Sequence, residues 1–344
     1  MSLVALPSSQ ISVLQLPPRA AERCAEEIVM IHGLAANLGF WYAGAAQWFT
    51  HFGRVTLYDL PGHGRSELRP SGYSPRELAI DLGHLLDHLQ LEQVHLVAHS
   101  FGGMVALCFA LQQPERVKSI VLADVRIWPV EPASWKTVPP GWLRRMREAG
   151  LQLDDTGLDP SVQVLVELAR LQLARPELAK AALTAITGGN AFFAGRRAAR
   201  RWLDLIENTK AYAEMTSGDD FGVDDLPRIR QPILALFGGS SLLERSARAL
   251  EQLCPNCRLE IIPRVGHFFP LTRPRIFAAI AIDFLARSAS STAGAGHPPE
   301  RWALNRGRDG AGPYRGLPPP GDYSPGDYSP GDCDDELRST GTAG

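Results

Sequence analysis

Ser100 stands where a serine could act as a nucleophile. The apolar, strand-like run of residues 94–98 leads into it, and a helical pattern follows through Met104, Val105, Leu107, Cys108 and Leu111. Strand, sharp turn and helix form the context in which a Gly-x-Ser-x-Gly motif exposes a nucleophile. The strained turn needs small residues two positions before and after the serine, and Ala98 and Gly102 meet that need. The alternative is an ordinary serine that caps the N-terminus of a helix.

Three further segments contain residues that could take part in a reaction. Residues 27–34 end in His32-Gly33-Leu34, residues 54–66 end in a Gly-rich turn, and residues 264–270 place His267 between Gly266 and Phe268. Together with the Ser100 segment, these motifs resemble the α/β-hydrolase fold superfamily in order and separation. The resemblance covers residues 11–288, and within the superfamily the chain is similar to bacterial single-domain hydrolases with a large helical cap.

The resemblance implies a role for several of these residues. Serine is a poor nucleophile until a base takes its proton, and among the nine histidines of the chain His267 lies where the superfamily places that base. The backbone N–H groups of Leu34 and Phe101 would stabilise the oxyanion, at about 3–4 kcal/mol per donor. The residues expected to contact the substrate are His32, Gly33 and Trp128.

The other histidines are interpreted differently. His99 adjoins Ser100 but should point away from it along the strand and turn, so we interpret it as structural. His63 lies in the loop after the second of these strands and could line the pocket. His84 and His88 belong to an amphipathic helical pattern and are expected to be exposed.

The acid that orients the histidine is where the sequence departs from the superfamily. The usual aspartate follows the seventh strand in a Gly-x-x-Asp turn, but here Ser241 holds that position. A hydroxyl can orient an imidazole but cannot stabilise imidazolium as a charge does. Asp124 is the predicted acid, because it ends the neighbouring sixth strand at the same sheet edge, where some members of the superfamily place theirs. Glu244, or no acid at all, stays as an alternative.

The strand-like runs alternate with helical patterns, which predicts a parallel sheet in an α/β fold. The runs comprise residues 28–31, 55–58, 94–98, 119–123, 232–237 and 258–262. The first four show no alternation, as strands covered on both faces do not. Residues 11–16 predict a short antiparallel edge. We expect a mostly parallel, doubly wound sheet, the α/β-hydrolase fold, with residues 1–124 and 226–288 as its core.

Residues 125–225 are predicted to form a helical cap inserted after the sixth strand. Its helical patterns span residues 141–148, 161–173, 176–187 and 195–207. The cap would cover the C-terminal strand ends, where ligands bind in open α/β sheets. Its aromatic residues could line an apolar pocket, although packing of the cap on the core explains most of them; they are Trp128, Trp135, Trp142, Trp202, Phe192 and Phe193.

Arginines form a basic cluster in the last of these helical patterns; they are Arg196, Arg197, Arg200 and Arg201. A solvated helix face is the favoured interpretation. The alternative is that they steer an acidic substrate, such as a carrier-bound or CoA thioester.

The bulk composition excludes several other classes of protein. A net charge of −2 gives no reason to expect nucleic acid as a partner, and no apolar run has the roughly 20 residues of a membrane span. The first eighteen residues contain no Lys or Arg, so we expect no signal peptide and a cytoplasmic protein. The five cysteines do not suggest a disulfide framework, and Cys254 and Cys257 are interpreted as a plain loop rather than a redox or zinc motif.

Residues 289–344 differ in composition from the rest of the chain. They are rich in Gly, Pro and Ser, and the five-residue sequence Gly-Asp-Tyr-Ser-Pro occurs twice in succession. Such a segment cannot bury enough apolar surface to offset its ordering entropy, so we predict a disordered tail.

The sequence predicts a hydrolase that cleaves a carboxylic ester or thioester of a small molecule through an acyl-enzyme on Ser100, without metal or cofactor. Hydrolysis of a C–C bond and cofactor-free perhydrolysis use the same parts and stay open. A non-catalytic binding protein on the same scaffold is the alternative from another class, suggested by Ser241.

Overall fold

A single mixed sheet forms the centre of the computed structural model, which describes residues 1–19, 26–131, 138–153, 157–187, 195–218 and 221–292. The strands are β1 (Ser2–Ala5), β2 (Gln10–Leu16), β3 (Glu26–Ile31), β4 (Gly53–Tyr58), β5 (Val94–His99), β6 (Val117–Ala123), β7 (Ile233–Gly238) and β8 (Cys257–Ile262). Their order is β1-β2-β4-β3-β5-β6-β7-β8, and all neighbours pair in parallel except β1 with β2 and β2 with β4. The mostly parallel α/β fold is therefore confirmed.

The antiparallel edge is wider than the sequence predicts, because β1 lies outside β2. Val4 is the only buried side chain of β1. A strand of four residues is too short to show a period, so its position in the sheet could not be inferred from the chain alone.

Helices cover both faces of the sheet and fill the connection between β6 and β7. They are α1 (Gly39–Ala43), α2 (Ala46–Phe49), α3 (Pro75–His88), α4 (Phe101–Gln112), α5 (Pro140–Glu148), α6 (Pro160–Ala174), α7 (Pro176–Thr187), α8 (Arg196–Asn208), α9 (Ala211–Thr216), α10 (Glu244–Leu253), α11 (Phe269–Thr272) and α12 (Pro274–Thr292). Short 3-10 helices span Pro114–Arg116 and Val223–Arg228. None of the helices within the described ranges is long and apolar enough to cross a membrane.

The central strands are apolar on both sides because each side faces a different layer of helices. In β3, Val29 and Ile31 belong to the apolar cluster that includes the buried residues of α3 and α4. Ile28 and Met30 belong to the cluster that includes those of α1, α2 and α12. Burial on both faces leaves no side of these strands facing solvent, which explains why their runs do not alternate with exposed polar residues.

The segment between β6 and β7, called here the helical insertion, contains α5 to α9. The four predicted helical patterns correspond to α5, α6, α7 and α8. The short α9 was not predicted, because its six residues are too few to show a period. The expected boundary at residue 225 falls inside the 3-10 helix Val223–Arg228.

Two helices of the insertion are fastened to the loops that follow β4. The Arg201 guanidinium of α8 donates to the carbonyl oxygens of Gly62, at 3.2 Å, and of Ser66. The Glu214 carboxylate of α9 accepts the backbone N–H groups of Gly72 and Tyr73 at 2.8 and 2.9 Å. The insertion therefore lies against residues that leave the C-terminal end of a parallel strand.

The C-terminal helix and the cysteines complete the picture of the core. α12 continues to Thr292, past the boundary expected at residue 288, and the remainder of the predicted tail lies outside the described residues.

Cys254 is the C-cap residue of α10, and Cys257 begins β8. Burial raises the pKa of both thiols to about 12, so they are poor sources of thiolate.

Candidate active site

The turn between β5 and α4 presents Ser100 in a strained conformation. Its φ and ψ are 54° and −125°, and its N–H donates to the Ala123 carbonyl of β6 at 3.1 Å. Ser100 occupies the N-cap position of α4, yet its hydroxyl makes no capping bond. A Cβ on Gly102 would lie 2.6 Å from the carbonyl oxygens of Ile31 and His32, which explains the need for glycine there. The Ser100 hydroxyl is therefore not engaged in capping the helix.

His267 lies between β8 and α11 and bridges the two other candidate residues. Its Nε2 is 3.1 Å from Ser100 Oγ, and its Nδ1 is 2.7 Å from Asp124 Oδ2. The His267 side chain is 32% exposed and Ser100 is partly exposed, so both can be reached from outside. Asp124 lies 143 positions and Ser100 lies 167 positions before His267 in the chain, and the structure brings the three residues together.

Asp124 follows β6 and is completely buried, with φ of 50°. Its Oδ1 accepts the Gly238 N–H at 2.9 Å, and its Oδ2 accepts the Ser241 hydroxyl at 2.6 Å. Three donors, counting the His267 ring, thus compensate the burial of this carboxylate. The two donors from the β7 turn were not predicted.

Ser241 and Glu244 have different surroundings from those a catalytic acid needs. Ser241 Oγ accepts the Leu243 N–H at 3.3 Å, an arrangement that directs its own proton toward Asp124. The Glu244 side chain is 82% exposed at the start of α10 and lies 4.0 Å from Arg248. Geometry therefore favours Asp124 over Glu244 as the partner of His267.

The loop after β3 lies directly against Ser100. A Cβ on Gly33 would approach Ser100 Cβ to 2.9 Å, so the backbone of this loop is as close as a glycine permits. Leu34 follows in that loop, and Phe101 is the first residue of α4, where an amide has no partner within the helix. Within the described ranges neither of these two N–H groups has a protein acceptor.

His32 was predicted to contact the substrate, but in the structure it connects two loops. It is completely buried; its Nδ1–H donates to the Gly33 carbonyl at 2.8 Å, and its Nε2 accepts the Leu60 N–H at 3.0 Å. Both ring nitrogens are used to tie the loop after β3 to the loop after β4. Its sequence position beside Gly33 could not reveal this, because the second partner is 28 residues away.

Aromatic residues of the insertion divide into two groups. Trp128 is partly buried under the Arg126 guanidinium, 3.9 Å from its ring, and lines a small apolar cavity with Met104 and Phe221. Trp202 is 2% exposed and its ring lies 5.7 Å from that of His63, so it packs the insertion on the core. Trp135, Phe192 and Phe193 lie outside the described residues.

The basic cluster of α8 is also divided. Arg201 is used in the contacts with the loop after β4, and Arg196 donates to the Leu173 carbonyl at 2.7 Å. Arg197 and Arg200 are exposed.

Of the two helical histidines of α3, His88 is exposed as expected, and His84 is half-buried.

Buried imidazoles near the site should make the protein sensitive to acid. Burial is the main cause that lowers the pKa of His32 to about 3 and of His63 to about 4; the interaction of His32 with the His63 ring and that of His63 with the Arg201 guanidinium lower each pKa further. In the unfolded chain both titrate near 6.5. Between pH 6.5 and about 4 the unfolded chain therefore binds protons that the folded chain does not, and the free energy of unfolding falls as the pH drops. At pH 5 we expect a loss of about 2 kcal/mol per imidazole.

Melting temperatures measured from pH 7.5 to pH 5 test this expectation. His63→Asn keeps a donor for the Pro61 carbonyl but cannot be protonated, so its melting temperature should depend less on pH. His88→Gln changes an exposed histidine and serves as the control. A His63→Asn curve parallel to that of the wild type would contradict the assignment.

Comparison with known proteins agrees with the fold. Residues 27–274 match the family model described as the alpha/beta hydrolase fold, so the chain belongs to that family. It is 27% identical over 270 residues, 77% of this chain and 92% of the other, to a protein of Caulobacter sp. (strain K31) that bears the name carbamate hydrolase RutD. It is 29% identical over 285 residues, 75% and 88% of the two chains, to a 2-hydroxy-6-oxo-2,4-heptadienoate hydrolase of Pseudomonas putida. Among solved structures, a thermophilic esterase of Thermogutta terrifontis matches with a TM-score of 0.58 and 20% identity, over 84% of this chain and 99% of that one.

Proposed function

We propose that this hydrolase cleaves a carboxylic ester or thioester through an acyl-enzyme on Ser100, with His267 as the base and Asp124 as the acid that orients it. The observation that carries the proposal is the unbroken hydrogen-bond chain from Ser100 Oγ through both nitrogens of His267 to Asp124 Oδ2. Nucleophile, base and orienting carboxylate are thus within reach of one another, which is the arrangement that activates a serine.

The reaction would proceed in two halves. His267 Nε2 takes the Ser100 proton while Oγ attacks the acyl carbon. The oxyanion that forms is stabilised by the N–H group of Leu34 and by that of Phe101, which lies at the N-terminus of α4. Asp124 stabilises the imidazolium that forms. His267 then gives its proton to the leaving alcohol or thiol, and the same residue activates a water that hydrolyses the acyl-enzyme.

Hydrolysis of a C–C bond is the second candidate. The observation that favours it is the similarity to a 2-hydroxy-6-oxo-2,4-heptadienoate hydrolase over 285 residues. A carbamate is a further candidate substrate on the same ground, from the relative that bears that name. Arg197 and Arg200 are exposed, and their positive charges could attract an acidic group on the substrate, such as the phosphates of a CoA thioester.

A fluorophosphonate probe and a panel of substrates test the proposal. The probe should label the wild-type protein once, on the peptide that contains Ser100, and the panel should contain acyl esters and thioesters of graded chain length, a carbamate and a vinylogous diketone. Turnover of the esters or thioesters above the other two supports the proposal. Folded protein that the probe does not label would instead indicate a binding protein on the hydrolase scaffold.

Ser241→Ala should have a mild effect. Asp124 would keep the Gly238 N–H and the His267 ring as donors, so the loss is that of one hydrogen bond, about tenfold in kcat or less. Steady-state kinetics on the best ester of the panel provide the measurement. A loss of several orders of magnitude would show that Ser241, rather than Asp124, orients the base.

A further inference from the structure

His99, the last residue of β5, makes a contact that its neighbour Ser100 does not suggest. The His99 side chain is buried, and its Nε2 lies 3.0 Å from the backbone carbonyl oxygen of His267. Its ring stacks on Phe40, with centroids 4.5 Å apart, and contacts the His267 ring at 4.6 Å. His99 thus contacts both the main chain and the ring of His267.

The partners of His99 determine its protonation. A carbonyl oxygen only accepts hydrogen bonds, so Nε2 must carry the proton, and Nδ1 then bears a lone pair. Nδ1 lies against the loop after β3, 3.2 Å from the position a Cβ on Gly33 would take. Burial, and then the neighbouring His267, lower the pKa of His99 well below its usual range. His99 therefore stays neutral and does not compete for the proton that Ser100 releases.

The loop that carries His267 needs such an anchor. Asp124 is held by β6 and by the β7 turn, but the His267 side chain is 32% exposed and lies in a connection between β8 and α11. Two hydrogen bonds fasten the backbone carbonyls of this connection to the sheet edge, Ser240 N–H to Val265 at 2.9 Å and the His99 ring to His267. The second of them acts on the base itself.

We propose that His99 is a positioning residue, whose Nε2–H fixes the main chain of His267 so that its ring meets Ser100 and Asp124 together. The proposal rests on the proposed function, because it concerns the geometry of the same base. A displacement of about 1 Å at a catalytic group can cost about 100-fold in rate. Loss of the His99 donor should therefore reduce kcat more than it changes KM.

Two substitutions of equal length isolate the hydrogen bond from the packing. His99→Gln places an N–H donor near the position of Nε2, whereas His99→Met has the same length without a donor, and both lack the ring. We expect His99→Met to lose about 10- to 100-fold in kcat and in the rate of fluorophosphonate labelling, and His99→Gln to recover most of that loss. His99→Phe, which keeps the ring on Phe40, should resemble His99→Met.

A spectroscopic measurement reports on the same bond. The proton between His267 Nδ1 and Asp124 should give a low-field NMR resonance, identified by its loss in His267→Ala. It should broaden in His99→Met and persist in His99→Gln. Equal rates and equal resonances for the Gln and Met variants, whether high or low, would overturn the proposal, and the Phe variant replaces Met in this comparison if Met does not fold. Turnover that persists in Ser100→Ala would instead refute the proposed function itself.

Discussion

Ser100→Ala is expected to abolish covalent labelling and to reduce turnover by at least about 10⁴-fold, since nucleophile and base act as a unit. The fold should survive, because Ser100 Oγ makes one bond, to His267, and does not cap α4. Alanine also keeps the Ser100 N–H, which binds the Ala123 carbonyl. Ester turnover, labelling stoichiometry and melting temperature of the purified variant test the three expectations.

Two further variants control this result. His267→Ala should lose a similar factor, and the double variant should lose no more than either single one. Ser240→Ala removes an exposed serine at the same sheet edge and should remain fully active. Full labelling of Ser100→Ala would show that a different residue is the nucleophile.

Asp124→Asn is expected to reduce kcat by about 10⁴-fold without unfolding the protein. Gly238 N–H, the Ser241 hydroxyl and the His267 ring all donate to this carboxylate. An amide presents an acceptor on one side only, so Gly238 N–H retains the oxygen and the NH₂ group faces His267. The ring must then carry its proton on Nε2, and in that tautomer it cannot accept the Ser100 proton.

Ser241→Asp provides the matched rescue. Ser241 Oγ lies 2.6 Å from Asp124 Oδ2, so a carboxylate at position 241 would return the charge to the turn after β7. Combined with Asp124→Asn it should restore part of the lost kcat. Alone, it would place two carboxylates in contact and should lower both activity and melting temperature. Rates and thermal unfolding of the three variants form the test.

An active Asp124→Asn variant would contradict this assignment. Asp124 would then only secure the end of β6, where its N–H binds the Leu236 carbonyl at 2.8 Å. Glu244→Gln distinguishes what remains, because a loss of activity there would identify Glu244 as the acid. We expect Glu244→Gln to be unchanged, since that side chain is 82% exposed.

The local features of the site follow from the sequence by itself. The turn at Ser100 is recognisable because an apolar strand, a serine between small residues and an apolar helix are all contiguous in the chain. The helices of the insertion are recognisable because each is long enough to repeat its apolar period. The four-residue β1 and the six-residue α9 escaped prediction for the opposite reason.

The arrangement around Asp124 was decided only by the tertiary structure. Asp124 could be proposed as a partner of His267, because β5 and β6 were expected to end at one edge, but its donors from Gly238 and Ser241 were not foreseen. The contact of His99 with His267 was missed for the same reason, since the two residues are 168 positions apart. Such hydrogen bonds depend on neighbouring strands and on loop paths that differ by an ångström or less, and a local residue pattern contains no record of these distances.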